Sequence, residues 1–192
     1  SAAQMLRRFG AAFPASYREH VDPVSAVEDL HRLELLSRTE LVLNFYRPRD
    51  AAPTRLGFKV YRGSAPVPLS DSLPMLEHMG VRVLAERPYE ITPDGAEPMW
   101  IHDFELEAPA GDELDIEVVP PLFEDAFARV FDGRVENDDL NRLVLRAGLA
   151  ADEIVVLRAY AKYLRQIGFP LSQPYIEATL SAHPRIAGML AR

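Results

Sequence analysis

Two short runs of alternating character set the first limit on this fold. LVLNFYR (Leu41–Arg47) and LGFKVYR (Leu56–Arg62) are joined by the proline-containing PRDAAPT. Alternation marks strands with one face turned inward, and so short a link suggests a hairpin. The next stretch, VPLSDSLPMLEHMGVRVLAERPYEI (Val67–Ile91), reads as a helix, a glycine stop and a strand. Ser70 is the expected N-cap, Pro74 falls in the first turn, and Gly80 closes a helix whose buried face carries Leu73, Leu76 and Met79. After the turn signal TPDGAEP, MWIHDFELEA forms a further strand with Trp100, His102, Phe104 and Leu106 on one face and Asp103 and Glu105 on the other. A second helix sets Phe123, Phe127, Val130 and Phe131 opposite Glu124, Asp125, Arg129 and Asp132, and ends at Gly133.

The order is therefore strand, strand, helix, strand, strand, helix. A ferredoxin-like sandwich runs strand-helix-strand-strand-helix-strand, and moving its last strand to the front gives the present order. That strand neighbours the first one and is antiparallel to it, so a hairpin makes the exchange without altering the sheet. The right-handed crossover through Leu69–Met79 leaves a gap that a later strand fills, and both helices cover one face. We expect an α+β fold: a βαββα sandwich with a permuted N-terminal edge strand and one antiparallel sheet covered by two helices.

On either side the pattern turns helical. From Pro14 to Leu36 apolar residues recur at Val24, Val27, Leu30, Leu33 and Leu36, with Asp22 as N-cap and Pro23 at the first helical position. NDDLNRLVLRAG reads as a helix capped by Asn137 and stopped by Gly148; a second helix runs to Gly168, and a third begins at Ser172. These readings divide the chain into a helical arm (1–38), an α+β domain (39–133) and an all-helical segment (134–192). The last helix, after Pro184, stops without a cap, from which we expect a segment of a longer polypeptide.

Chemistry is sparse. With no cysteine, thiolate ligands, disulfides and cysteine nucleophiles are excluded. A net charge of −8 argues against nucleic acid as a partner. No apolar run is long enough to suggest a membrane partner, so a cytoplasmic protein is the default expectation. There is no G-x-G-x-x-G for a dinucleotide and no phosphate loop. Glu28 and His31 make one E-x-x-H, but di-iron bundles need two copies, so no metal site is assigned, nor any catalytic residue. The exception is RGSAPVPLSD between Arg62 and Asp71. A helix start offers free amides to an anion, Arg62 adds charge and Asp71 can receive an amino group. Arg62, Gly63, Ser64, Ser70 and Asp71 are the candidate effector-binding residues.

Several long runs carry a family resemblance: PLSDSLPMLEHMGVRVLAERPYEI, WIHDFEL, FEDAFARVFDGRVENDDLNRLVLRAGL, LRAYAKYLRQIGFPLSQPYIEATL and HPRIAGML. Together they resemble the large bacterial NAD-specific glutamate dehydrogenases, over nearly the whole chain beyond Ser16. The resemblance implies that the sandwich is ACT-like and lies upstream of a catalytic domain, with a helical stretch after it. It implies a non-catalytic regulatory or scaffolding segment, inactive alone, of an enzyme that converts L-glutamate to 2-oxoglutarate and ammonia. NAD is implied as the cofactor of that parent enzyme, with none held by this segment. The partners implied are the remaining domains of the parent chain, a homo-oligomer formed through sheet edges (Leu41–Arg47 or Val81–Ile91) and a small-molecule effector. The alternative is an ACT-like sensor of an amino acid or organic acid. Where ACT modules carry an acidic residue and a Pro-Gly pair after the first strand, this chain has YRGSAPVPLSD, which favours a structural use of the fold.

Overall fold

The computed structural model describes residues 2–49, 51–109 and 114–192. Three short helices lead: α1 (Ala2–Phe9), α2 (Ala15–His20) and α3 (Pro23–Leu35). The hairpin follows as β1 (Leu41–Tyr46) and β2 (Arg55–Gly63), then α4 (Leu69–His78), β3 (Arg82–Ile91), β4 (Met99–Glu107) and α5 (Val119–Phe131). A 3₁₀ turn (Asp139–Arg142) runs into α6 (Leu143–Ala147), and α7 (Ala151–Gln166), α8 (Gln173–Ala182) and α9 (Pro184–Ala191) complete the chain. None of the described helices is long and apolar enough to cross a membrane.

The sheet has the order β1-β2-β4-β3 with every neighbour antiparallel. Read from β2 onward, with β1 moved to the end, this is the ferredoxin-like arrangement. The expected hairpin is present, with Leu41 opposite Arg62 and Tyr46 opposite Gly57. At that last pair the Tyr46 ring lies over Gly57, where a Cβ would come within 2.3 Å of a ring carbon.

Both sheet faces are buried. On one, Phe45, Leu56, Phe58, Val60, Phe104 and Leu106 meet Leu76 of α4, Met79 at its C-cap, and Phe123 and Phe127 of α5. Phe123 stacks on Phe45 at 4.2 Å and meets Phe58 edge-on at 5.3 Å, favourable geometries for ring quadrupoles. The same core runs on into Leu143, Val144, Leu149, Ile154 and Leu157, so the C-terminal helices pack on the sandwich through apolar side chains. On the other face, Tyr61, Tyr89, Ile91, Met99 and Ile101 pack against Phe9, Ala12, Tyr17 and Leu33 of the N-terminal arm. Main-chain bonds from Thr92 to the Ala12 carbonyl (3.1 Å) and from Asp94 to the Arg8 carbonyl (2.9 Å) tie that arm to the β3–β4 turn.

Three local expectations need correction. The leading helix is broken before Asp22, which does cap α3 through Val24 and Ser25; but Val24 and Val27 are exposed, and the packed face carries Asp29 and Leu33. A carboxylate, not a valine row, faces the sheet because it finds partners there. Helix α4 starts two residues earlier than a Ser70 cap predicts, with Pro68 at the N-cap and no side-chain cap, so Pro74 lies inside the helix. Its missing N–H leaves the carbonyl of the exposed Ser70 without an intrahelical donor. The cap beyond α5 is Asp138, not Asn137: its carboxylate accepts from the Leu140 amide at 3.1 Å.

The edge strand β1 is partly closed by a side chain. Glu124 of α5 accepts the Phe45 amide at 2.8 Å. Burial holds the Glu124 carboxyl above its usual range, against the lowering effect of that bond and of Arg32. A raised carboxyl favours the protonated folded form, so its stabilising contribution is present at low pH and lost as pH rises through the folded value. Glu124→Gln keeps the acceptor and removes the buried charge. Urea unfolding at neutral pH should find it at least as stable as the wild type, with the gap closing as pH falls. Glu124→Leu, which orphans the amide, should lose about 1–3 kcal/mol.

Candidate functional site

The loop predicted to hold an effector is split by the fold. Arg62, Ser70 and Asp71 line one hollow of about 530 Å³ with Pro68, Pro74 and Phe131. Gly63 and Ser64 line another with Ser37, Arg38, Thr39 and Glu40, and Arg62 alone reaches both. Arg62 is engaged: its guanidinium lies 5.4 Å from the Phe131 ring centre and donates to the Pro66 carbonyl at 3.2 Å. Ser70 donates to Asp71 at 3.2 Å. Ser64 takes a left-handed φ of 67°, which side-chain-bearing residues avoid, and its amide donates to the Pro98 carbonyl at 3.0 Å.

Behind this loop, His102 is buried on β4. Its Nε2 accepts the Val67 amide at 3.0 Å, so that nitrogen carries no proton. Nδ1 therefore holds the hydrogen and donates it to Glu86 at 2.8 Å. The ring is a neutral tie between β4, β3 and the segment leading into α4. Glu28 and His31 are both exposed, and no cluster of metal-ligating side chains forms among the described residues.

The densest chemistry lies elsewhere, on the sheet face under the arm. Asp29 of α3 is 1% exposed and Lys59 of β2 is 4% exposed. Lys59 Nζ donates to both Asp29 oxygens, at 2.7 and 3.0 Å. The phenols of Tyr17 and Tyr61 each donate to the same carboxylate at 2.6 Å. Each Asp29 oxygen thus receives two charge-assisted or phenolic bonds, which compensates its removal from water. Burial, then the charge of Asp29, pushes the Tyr17 and Tyr61 phenols far above the ordinary tyrosine range. Register puts Asn44, Lys59, Asp103 and Arg87 in one row across the four strands. Arg32 of α3 spans to Asn44 Oδ1 at 2.8 Å. Between this row and the arm lies a polar cavity of about 590 Å³, reached by Arg47 and Arg49 just past β1 and by His20, Ser25 and Glu28 from the arm.

Sequence reasoning missed this cluster. The signal was Lys59, one of two lysines in the chain, set between Phe58 and Val60 in the middle of a strand. Asp29, flanked by Glu28 in a helix, reads as solvated until the sheet is laid beside it.

A second ionic cluster joins the C-terminal helices. Arg158 of α7, 4% exposed, donates to both oxygens of Asp138, at 2.6 and 2.9 Å, and to Asn141 Oδ1 at 3.0 Å. It fixes the 3₁₀ turn against α7.

Comparison with known proteins places these parts. Residues 40–119 match the family model described as glutamate dehydrogenase, ACT3 domain; residues 135–192 match helical motif 3 and residues 1–36 helical motif 2 of the same enzyme. The NAD-specific glutamate dehydrogenase of Halomonas elongata is 44% identical over 187 residues, or 97% of this chain. That of Pseudomonas aeruginosa is 42% identical over 98% of the chain, and that of Mycobacterium tuberculosis 40% identical over 92%. The chain spans only 11–12% of the length of these relatives.

Asp29→Ala leaves Lys59 buried without a counter-charge and should lose about 3–5 kcal/mol in urea unfolding. Joint replacement by Asp29→Leu and Lys59→Met should recover part of that loss, because it removes both charges together.

Proposed function

This chain belongs to the glutamate dehydrogenase family defined by the ACT3 and helical-motif modules, and from that premise we propose that it is a regulatory and scaffolding segment, not a catalytic one. The parent reaction would be L-glutamate with NAD and water giving 2-oxoglutarate, ammonia and NADH, in the cytoplasm. The observation that carries the reading is the use of the buried ions. Asp29–Lys59 joins the arm to the sheet, and Arg158–Asp138 joins the 3₁₀ turn to α7. Such groups are placed to hold parts in register, which suits transmission of a conformational bias between neighbouring modules.

The residues of this chain do not fit NAD. The strand-to-helix turn after β2, GSAPVP, has one glycine, and its helix opens on Pro68 with no side-chain cap. A dinucleotide needs close backbone approach there and a parallel βαβ unit, whereas this sheet is antiparallel throughout. NAD would be held by other parts of the parent enzyme. We take residues 1–38, 39–133 and 134–192 as its working units.

Partners would be the remaining modules of the parent chain and a second copy met at a sheet edge. Since Glu124 occupies an outward amide of β1, β3 is the more available edge, although Pro88 and a bulge between Val83 and Ala85 blunt it. A second reading, effector sensing by Arg62, Gly63, Ser64, Ser70 and Asp71, is favoured by the hollow that gathers Arg62, Ser70 and Asp71 and by the left-handed Ser64 beside it.

Two assays separate these readings. Glutamate-dependent NAD reduction by the purified chain is expected to be nil, and turnover would overturn both. In the full-length enzyme carrying Arg62→Ala and Asp71→Ala, effector response is expected to match the wild type, measured against the effector-free rate. A lost response would favour the sensor.

A further inference from the structure

We propose that the outward face of α7 is a self-association surface, on which a second copy of this chain packs its own α7 antiparallel to the first. The contact uses a helix, not a strand edge, so it does not depend on the edge pairing considered above.

A surface helix usually carries one apolar stripe. Helix α7 carries two. Ile154, Leu157 and Ala161 are buried, and Ile154 and Leu157 belong to the core shared with the sheet. Val156, Tyr160 and Tyr163, with Ile167 at the C-cap, form a separate row and are 41%, 62%, 57% and 60% exposed. Their spacing of four, three and four residues is that of a coiled-coil seam, which a second helix fits by setting its side chains between them. Branched and aromatic residues form helix less well than alanine, lysine or glutamate, so helix propensity does not account for the row.

Two features identify the occupant as a second copy. The first is that the row reads alike from either end: a β-branched aliphatic, two tyrosines, a β-branched aliphatic. Laid antiparallel about a two-fold axis between Tyr160 and Tyr163, it sets Val156 opposite Ile167 of the second copy and Tyr160 opposite Tyr163. An isologous contact requires that self-complementarity, and offset tyrosine rings supply a favourable geometry at its centre. The second feature is charge. Helix α7 has Asp152 and Glu153 in its first turn and Arg165 in its last, so antiparallel packing places each acidic end beside the basic end of the other copy. A parallel pair would bring like charges together.

The area is sufficient. Beyond the Gly168 stop the apolar surface continues through Phe169 and Leu171, both exposed. With a whole aromatic side chain at about 150–250 Å², the exposed parts of these six residues come to roughly 600 Å² per copy. A pair would cover about 1,200 Å², above the ~1,000 Å² that a specific interface needs.

The test is sedimentation equilibrium of the chain across the micromolar range, joined to disulfide cross-linking. The wild type should show a reversible monomer–dimer equilibrium. Tyr160→Glu, and separately Tyr163→Glu, should weaken dimerisation about tenfold or more. Both positions are exposed, so each variant is expected to fold, which its thermal melt checks. The chain has no cysteine, so introduced thiols report alone. Val156→Cys and Ile167→Cys together should give a covalent dimer under mild oxidation. Either substitution alone should not, because like positions lie about 16 Å apart along an antiparallel pair. The proposal is overturned if the chain stays monomeric, the result expected where another module of the parent covers the row. It is also overturned if the tyrosine variants dimerise like wild type, which would place the contact elsewhere. Cross-linking of either single-cysteine variant as readily as the double one would mean parallel pairing, and would overturn it too.

Discussion

A carboxylate taken fully out of water needs about as many donors as it has lone pairs, and the position of Asp29 follows from that need. Lys59 and two tyrosine phenols meet it, each from a different place: Lys59 and Tyr61 from β2, and Tyr17 from α2. Because the donors are fixed to separate elements, they are satisfied together only when α2, α3 and β2 stand in one arrangement. A valine row on α3 would bury comparable area in many neighbouring registers. The ionic group contributes little net stability, since desolvation offsets most of the Coulomb gain, but it penalises misdocking by several kcal/mol. The arm is thereby positioned by chemistry that does not tolerate approximation.

Burial of both sheet faces follows. An antiparallel sheet of four strands needs one covered face, and α4 and α5 supply it. The arm covers the second, so polar side chains on that face, Lys59 and Asp103 among them, must find partners inside the molecule or line the polar cavity beside the arm. Permutation of the fold matters here. With the edge strand placed first, the arm leads directly into β1, and α3 crosses that strand closely enough for Arg32 to reach Asn44 at 2.8 Å.

The elements that sequence reasoning recovered are those fixed locally. Gly80, Gly133, Gly148 and Gly168 all carry positive φ at helix ends, a backbone requirement visible in the residue type itself. The strand order also came through, because hairpin geometry and crossover handedness leave few alternatives. What failed depended on partners distant in sequence. Val24 and Val27 fit a helical stripe as well as Leu33 does, and only the docked sheet distinguishes them. Ser70 and Asn137 are sound caps by type, yet the helices start at positions set by packing. The candidate loop was read as one site because its residues are adjacent in the chain. Strand alternation sends Arg62 to the α5 side, while Gly63 and Ser64 turn toward the segment joining α3 to β1.

The two boundaries of the ACT-like sheet are built from different materials, and the difference bears on which can move. Toward the C-terminus the junction is continuous apolar core, with Val144, Leu149, Ile154 and Leu157 in the same cluster as Phe58 and Phe127. Displacing it would expose many side chains at once, and close-packed interiors do not deform gradually. Toward the N-terminus the apolar cluster is smaller, and its centre is one carboxylate held by one lysine and two phenols. An ionic junction beside a polar cavity can be biased by the charge of whatever enters, whereas an apolar one cannot. If this segment conveys a conformational signal, the arm is the part free to carry it, and the sheet with its C-terminal helices is the rigid body against which it acts.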